Sequence, residues 1–475
     1  MVVAGADGAV APSRDDAVVA ASSQAIGGPL GVHARPHPWW TPLRSVLALV
    51  TLAGVLNLVH TAPCQSGAWW DGSAYADLCY SDIPLSYVVS GAGEGLRPYA
   101  DGAGRYPPTA DPAPVVVLAW AAAGAARVLT DTPDVGDRAE QRVAELARAP
   151  SLHREAVTYY AVYALAMIAL MLALVALLLR LSGRRPWDAA AFALAPVLIL
   201  AATIGWDLLG VTAAIAAVAV WSSERPIAAG VLLGTAVAAA VWPVAVLVAL
   251  LPLAVRARQP RGWLAVTGVT SAVWALWQVP VLLLARDSWW GTVNHTLTGQ
   301  VGYGSLWRLA AAYGRTAAAP LLVVLVVLGM ALVVLAVLGL ALGSQRQPRL
   351  PQVVVLLLIG GLVVWPVYSP QYVLWLLPFA VLARPRWRDL LIWQAGEVFY
   401  FLAIWWTLAG ATADAGVDDT YAVAIAVRVA AELWLAGVVV RDILRPEHDP
   451  VRADLVTDDP AGGVLAERRP RPRAT

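Results

Sequence analysis

The stretch SVLALVTLAGVLNLV at residues 45–59 contains no charged side chain and is apolar along nearly its whole length. Crossing the hydrocarbon core of a bilayer takes about 20 predominantly apolar helical residues, so this stretch predicts a transmembrane helix. The whole chain has 475 residues, of which 59% are hydrophobic and 14% charged, and its mean hydropathy is +0.65. These values exclude an ordinary soluble protein and predict a multi-pass membrane protein.

Similar apolar runs recur along the chain. Together with the first run they predict an all-α, polytopic membrane protein with about twelve transmembrane helices. The further runs lie near 114–130, 156–180, 188–205, 207–222, 226–255, 262–285, 318–342, 352–367, 371–383, 389–409 and 420–440.

The two ends of the chain differ in composition from the apolar region between them. Residues 1–38 are rich in Gly, Ala and Pro, and residues 446–475 in Pro, Arg and Asp. Such segments are typical of disordered chain, so we expect a transmembrane domain at 39–445 between two disordered tails. The net charge of +1 gives no bulk attraction to nucleic acid.

Arginines in short loops predict the orientation, because positive charge is retained on the cytoplasmic side of a membrane. With twelve spans, four segments fall on one side: RARQPRG (256–262), GSQRQPR (343–349), RPRWRD (384–389) and the residues from Arg441 onward. Both termini are then cytoplasmic, and the long loop 62–113 is outside. RLSGRR (180–185) also falls outside, against the rule. Either the count between 114 and 255 is wrong, or a local contact overrides the charge bias.

The first outer loop contains both cysteines of the chain, Cys64 and Cys79. In an oxidising outer compartment, two thiols this close in sequence with no others to choose from predict a disulfide. The alternative is two unpaired thiols. A disulfide would also fix the position of Asp82, which follows shortly after.

Asp82 lies in YSDIPLSYVVSGAGEGL (80–96), which predicts a short amphipathic helix along the membrane interface. Its carboxylate has two interpretations. It can accept a proton from an attacking hydroxyl and act as a general base. It can also cap the helix, since Ser-Asp before an apolar stretch is a common helix start, and the local pattern alone favours the cap.

Six stretches combine polar and aromatic residues in a distinctive way: CYSDIP (79–84), GLRPY (95–99), GWDLLGV (205–211), GSLW (304–307), YSPQYVLWLLP (368–378) and WQAGEVFYFLAIWW (393–406). Through them, the chain from about residue 44 to 445 resembles the actinobacterial membrane proteins of glycosyltransferase family 87, in the GT-C superfamily. The resemblance implies a GT-C-like fold. It also implies transfer of a sugar, in that family mannose, from polyprenyl phosphate to an envelope glycan or glycolipid at the outer face of the plasma membrane.

By this resemblance Asp82 inherits the role of the catalytic carboxylate, which deprotonates the acceptor hydroxyl and gives inversion at the anomeric carbon. Asp77 and Asp111 are the other candidates for that role. The residues expected to contact donor, acceptor or phosphate are Arg97, Tyr99, Arg105, His295, Tyr368 and Gln371. We expect no cofactor, and no metal because no His, Cys and carboxylate residues occur at ligand spacing.

Two further polar positions lie near or within apolar runs. The predicted topology puts Asp207 at the inner boundary, where it is either functional or the start of a helix. Glu397 is deep in a predicted span and should be paired, with Arg428 as the expected structural partner.

The chain also departs from the family pattern. A Glu-Tyr-Pro triplet is usual before the second span, where this chain has Pro112-Ala113-Pro114, and a Lys is usual at the position of Ala240. Either Asp111 and an arginine substitute for the missing groups, or the donor or acceptor differs, or activity has been lost. The alternatives to an active transferase are a transporter or flippase of lipid-linked sugar, and a catalytically inactive homologue.

Overall fold

A computed structural model describes residues 39–100, 104–109, 111–132, 135–297, 301–411, 419–452 and 458–466. The expected tail at 1–38 lies outside these ranges. Within them the chain forms helices and turns and no β-strand, which confirms the all-α prediction. Contacts divide the chain into a short unit ending at Ser45 and a large unit from Val46 onward. The remaining description concerns the large unit.

Fourteen of the described helices have eight or more residues. They are α1 (Pro42–Pro63), α2 (Asp82–Val89), α3 (Ala113–Leu129), α4 (Pro150–Ser182), α5 (Asp207–Trp221), α6 (Pro226–Ala239), α7 (Val244–Ala257), α8 (Pro260–Leu284), α9 (Arg286–Leu297), α10 (Ala319–Gly343), α11 (Leu350–Val364), α12 (Val373–Ala383), α13 (Trp387–Leu408) and α14 (Asp419–Leu444).

Six of the described helices are long and apolar enough to cross a membrane, and several shorter helices are similarly apolar. The six are Pro42–Gly67, Pro150–Ser182, Pro260–Leu284, Ala319–Gly343, Trp387–Leu408 and Asp419–Leu444. In the windows of the two segments at 260–284 and 319–343, only 17% of the residues are buried within the protein. Such apolar exposure requires a hydrocarbon environment, so the chain is a polytopic membrane protein.

Small residues let neighbouring helices approach closely. A Cβ atom placed on Gly230 or Gly234 of α6 would lie 2.8 Å from Val269 Cβ and 2.6 Å from Val273 Cβ of α8, respectively. Such contacts are too short for any side chain, so glycine at this four-residue spacing is what allows the two backbones to meet.

The helices of the large unit share two ends, which differ in chemistry. At the first, which we call the Asp82 end, lie the start of α2, the start of α5 and the turn at 368–372. At the second, which we call the arginine end, lie Arg185, Arg256, Arg349, Arg384 and Arg452 with their hydrogen-bond partners. Helix α4 runs from one end to the other, because Glu155 accepts a hydrogen bond from Tyr87 of α2 and Ser182 lies in a cavity with Arg349.

Helix α3 does not carry the chain from one end to the other. The end of α1 is tied to the residues before α2 by the bond between Cys64 and Cys79, and the start of α4 is tied to α2 through Glu155. Since α1 ends and α4 begins at the Asp82 end, α3 between them returns to that end. Its last turn contacts the first loop, where Arg127 Nη1 donates to Ala92 O at 2.7 Å. The expected span near 114–130 is therefore wrong.

The absence of a membrane pass at α3 explains why the arginines at 180–185 contradicted the predicted orientation. Without a pass at α3, they fall at the arginine end with the other arginine-containing loops. There Arg185 donates to Pro450 O at 2.6 Å and Arg180 to Ser223 at 2.8 Å.

The expected single span at 226–255 is instead two helices, α6 and α7. The break occurs at Ala240, whose backbone is extended, and Pro243 precedes the new helix. Proline lacks a backbone N–H and disfavours helical backbone in the residue before it, so this position interrupts the apolar run. The expected span at 188–205 consists of short pieces: Pro186–Ala189, Ala190–Ala193 and Pro196–Ala201.

The C-terminal segment is packed where it is described, so the prediction of a disordered tail from 446 onward is wrong for 446–452 and 458–466. Asp449 is fully buried and pairs with Arg349 at 2.7 Å. The indole of Trp221 donates to Gly462 O at 3.0 Å. Polar composition was misleading here because the Asp residues of this segment neutralise buried arginines instead of facing solvent.

Candidate functional site

The helix that begins at Asp82 is capped by the preceding residue, Ser81. Ser81 has an extended backbone and its hydroxyl oxygen accepts a hydrogen bond from Ile83 N at 3.3 Å. The same hydroxyl donates to Thr203 O at 2.7 Å, and Asp82 N donates to Ile204 O at 3.0 Å. Asp82 is thus the first residue of α2 and not its cap, so the interpretation that the local pattern favoured is wrong. Its carboxylate remains available for other contacts.

The Asp82 carboxylate is held by a phenol and is open to solvent. The hydroxyl of Tyr80 donates to Asp82 Oδ1 at 2.7 Å, and the aspartate side chain is exposed. Protein nevertheless surrounds it at longer range, and this loss of hydration raises the pKa of the Asp82 carboxyl above its ordinary value. The Tyr80 hydrogen bond lowers that pKa and the negative charge of Asp111 raises it. Asp82 therefore combines an accessible carboxylate with a raised pKa.

Three polar side chains converge in front of Gly205. A Cβ atom placed on this glycine would lie 3.1 Å from Asp207 Oδ2, 3.6 Å from Gln371 Nε2 and 3.9 Å from Asp82 Oδ2. Asp207 therefore lies at the same end of the bundle as Asp82. The expectation that it lies at the inner boundary, opposite Asp82, is wrong, and the cause is the miscounted span at α3.

Asp207 is oriented by an indole. Trp375 Nε1 donates to Asp207 Oδ1 at 2.7 Å, which leaves Oδ2 directed toward Gly205. The Trp375 ring stacks on Tyr372 at 3.9 Å between centroids and on Trp242 at 5.8 Å. The carboxylate thus borders a continuous aromatic wall.

A second aromatic group lies on the other side of Asp82. Tyr80 stacks on Tyr75 at 4.9 Å, and the ring of Trp405 lies 5.0 Å from Tyr80 and 5.7 Å from Tyr75. Aromatic faces next to carboxylate and amide groups are suited to binding sugars, because the rings contact C–H faces while the polar groups bind hydroxyls.

The first loop is braced by a disulfide between Cys64 and Cys79, whose Cα atoms are 5.8 Å apart. Both residues are buried, and Trp69 Nε1 donates to Cys79 O at 3.2 Å. The disulfide fixes the backbone three residues before Asp82. Asp77, inside the closed loop, has an exposed side chain.

Two of the other predicted residues lie near the cluster. Asp111 is close enough to influence Asp82 and Tyr99 electrostatically. Burial, and then the charge of Asp111, raise the pKa of Tyr99 to about 12. Arg97, two residues before Tyr99, has an exposed side chain.

Other predicted residues take structural positions or cannot be described. Arg105 pairs with Glu94 at 2.5 Å and donates to Gln141 O at 2.8 Å, so its guanidinium holds the first loop together. Tyr368 is fully buried and its hydroxyl donates to Glu397 at 2.7 Å, away from the surface. The side chain of His295 lies outside the described part of the chain.

The sequence predicts that Glu397 pairs with Arg428, but the hydrogen bonds in the structure join each of them to other residues. Arg428 Nη1 pairs with Glu432 at 2.7 Å and its guanidinium lies 3.5 Å above the centroid of the Tyr368 ring. Glu397 binds neutral donors, the hydroxyl of Tyr368 and the indole of Trp393. All of these groups are buried, so the network stabilises the contact between α13 and α14.

No known family model matches the chain, and no curated protein sequence matches it.

Proposed function

We propose that this chain is a membrane glycosyltransferase of the GT-C type, which moves a sugar, mannose by resemblance, from polyprenyl phosphate to a glycan or glycolipid. The observation that carries the proposal is the Asp82 carboxylate. It is solvent-accessible, and it is not used to cap α2 because Ser81 is the cap. It also lies next to Asp207, Gln371 and aromatic rings. These are the parts that a general base in a sugar site requires.

In the proposed reaction, Asp82 takes the proton of an acceptor hydroxyl as the hydroxyl oxygen attacks the anomeric carbon. A bond forms between these two atoms, and the bond from the anomeric carbon to the phosphate oxygen breaks. The polyprenyl phosphate leaves with the electron pair, and attack from the opposite face inverts the anomeric carbon. A carboxylate with a raised pKa is a stronger base than an ordinary one, while the Tyr80 hydroxyl orients it.

The membrane arrangement that fits this reaction has twelve passes. They are α1, the helix α4, the broken segment 186–201, α5 to α8, and α10 to α14. The arginine end is cytoplasmic, because positive charge is retained there, and the Asp82 end is extracytoplasmic. A lipid-linked donor has its phosphate at the membrane interface, so we propose Arg97 as a phosphate ligand because Arg105 is engaged by Glu94.

Two features are compatible with the transporter alternative. The pass at 186–201 is interrupted, and a buried charged group of Arg428 and Glu432 lies within α14. Interrupted helices and buried charges are common in transporters. A catalytically inactive homologue is the third possibility, because the family's Glu-Tyr-Pro and Lys positions are replaced.

Transfer by the purified full-length protein tests the proposal. Labelled polyprenyl-phosphate mannose is offered with a panel of mannan acceptors to the native protein and to Asp82→Asn. Asp137→Asn is the matched control, because Asp137 is an exposed aspartate outside the cluster. We expect a loss of about 10²-fold or more in Asp82→Asn alone.

The other outcomes separate the alternatives. If Asp82→Asn retains full transfer, Asp82 is not the base, and Asp77→Asn and Asp111→Asn then locate it. If the native protein transfers sugar to no acceptor but moves the labelled lipid across a proteoliposome membrane, it is a transporter. If it does neither, the inactive homologue is supported.

A further inference from the structure

We infer that Asp207 and Gln371 form a subsite that recognises a hydroxyl group of the transferred sugar and thereby sets which sugar is accepted. This inference rests on the proposed function. It assigns to Asp207 a role separate from that of Asp82: binding and orientation of the donor sugar.

The pair has complementary hydrogen-bonding chemistry. Asp207 Oδ2 accepts hydrogen bonds and Gln371 Nε2 donates them, and both atoms lie within 4 Å of the same point in front of Gly205. A sugar hydroxyl donates one hydrogen bond and accepts others, so it can bind both groups at once. A carboxylate acceptor makes the stronger of the two bonds, because its charge assists it.

Both side chains are placed on rigid backbone. Asp207 is the first residue of α5, and its other oxygen is fixed by Trp375 Nε1 at 2.7 Å. Gln371 lies in the short helical turn Pro370–Tyr372. Preorganised groups lose little entropy on binding, which is the condition for discriminating between similar ligands.

The aromatic wall next to the pair supplies the remaining elements of a sugar subsite. Tyr372 and Trp375 stack closely, and Trp242 stacks on Trp375. The indole nitrogen of Trp242 is buried and has no hydrogen-bond partner among the described residues. A Cβ atom placed on Gly210 would lie 4.0 Å from this nitrogen, so the nitrogen packs against α5, and Trp242 contributes to the subsite through its stacking on Trp375.

Deoxy-sugar donors test the subsite. The native protein is given polyprenyl-phosphate mannose and its 2-, 3-, 4- and 6-deoxy analogues with one acceptor. We expect at least one deoxy analogue to be transferred about 10²-fold less efficiently than mannose, since a site that binds a hydroxyl rejects the analogue without it. In Asp207→Asn and Gln371→Leu, that ratio falls toward one while the ratios for the other analogues are unchanged.

A structural role for Asp207 would not alter one ratio selectively, so the pattern distinguishes recognition from misfolding. Donor binding gives a second readout: without acceptor, mannose donor raises the unfolding temperature of the native protein more than the critical deoxy donor does, and Asp207→Asn removes this difference. Asp137→Asn is the control and keeps the native ratios.

The two proposals fail in different ways. If the native protein transfers none of the donors to any acceptor of the panel, the proposed function fails. If it transfers mannose but Asp207→Asn and Gln371→Leu keep the native ratios, the subsite is overturned and the function stands.

Discussion

The two ends of the bundle use aspartate in opposite ways. At the arginine end, Asp449 pairs with Arg349 at 2.7 Å, and Arg384 pairs with Asp389 at 2.9 Å and Asp442 at 2.6 Å, all of them buried. At the Asp82 end, Asp82 and Asp207 form no ion pair with any described residue. Each instead accepts one hydrogen bond from a neutral group, a phenol or an indole.

This difference separates acids that hold the fold from acids that are available for a ligand. Each of these buried aspartates at the arginine end is neutralised by an arginine, and removal of the aspartate leaves that cation without its ion-pair partner. A carboxylate that is open and bound only by a neutral donor keeps lone pairs for a substrate. The predictions that follow test this division, from the largest expected effect to the smallest.

Removal of a carboxylate from the arginine end should cost most. Asp449→Ala leaves the buried Arg349 without its partner, and we expect the free energy of unfolding to fall by about 3–5 kcal/mol. Titration with SDS in mixed micelles measures the change. Asp207→Asn, its counterpart at the Asp82 end, should change stability by less than about 1 kcal/mol. Equal losses of unfolding free energy in the two variants would contradict the proposed difference between the two ends.

Loss of the disulfide should weaken the Asp82 end specifically. The bond links residues 15 positions apart, and closing a loop of that size contributes about 3 kcal/mol. We expect Cys64→Ser with Cys79→Ser to destabilise the protein by roughly this amount and to reduce transfer, because the backbone before Asp82 is released. Proteolysis of the first loop, compared with the native protein, reports where the loosening occurs.

A methyl group at Gly205 should block the site with little effect on the fold. In Gly205→Ala the new Cβ lies 3.1–3.9 Å from the three polar side chains of the cluster, and it occupies the space in which a ligand would meet them. We expect transfer to fall by about 10²-fold, equal to about 2.7 kcal/mol at the transition state. Gly268→Ala is the control, because no atom lies within 4 Å of its added Cβ. Unchanged transfer in Gly205→Ala would show that the substrate binds elsewhere.

Removal of the helix cap should have a moderate effect. Ser81→Ala loses the bond to Ile83 N and the bond to Thr203 O, and we expect a loss of about 1 kcal/mol in stability. Ser81→Thr retains a hydroxyl and should restore most of it. If Asp82→Ala destabilises α2 more than Ser81→Ala does, Asp82 is the cap after all.

The smallest effect concerns pH. The Tyr80 hydrogen bond favours the ionised form of Asp82, so Tyr80→Phe should raise the pKa of Asp82 further and move the acid limb of the transfer rate to higher pH. Because the folded-state pKa already lies above 3.8, the stability contributed by Asp82 is fully present below that value and is lost as pH rises through the folded-state pKa. A pH profile that does not move in Tyr80→Phe excludes Asp82 as the titrating base.

The sequence predicted the class of fold well, because long apolar runs have few alternatives to membrane helices. It failed at α3, where an apolar run of 17 residues returns to the loop it left. Length and composition cannot distinguish a helix that crosses the membrane from one that returns to the same end of the bundle. Only tertiary contacts, such as that of Arg127 with Ala92, show which of the two a helix does. This single error also misplaced Asp207.

The candidate site was predicted in part. Asp82 and Gln371 were identified from stretches with a family resemblance, and the structure brings them together with Asp207. Gly205 and Trp375 were missed as site residues although the quoted stretches GWDLLGV and YSPQYVLWLLP contain them. Nothing in a single sequence indicates that these two stretches meet, because the contact joins residues 168 positions apart.

The contact between Trp221 and Gly462 has a consequence for biosynthesis. The two partners are separated by 241 residues, so α5 is inserted and packed long before the carbonyl that its terminal indole requires has been made. Until residues 449–462 have been synthesised, the arginine end lacks the carbonyl that binds Trp221 and the aspartate that pairs with Arg349. Packing of the arginine end therefore waits for the C-terminal segment, and a chain that stops before residue 449 would leave the buried Arg349 without its aspartate.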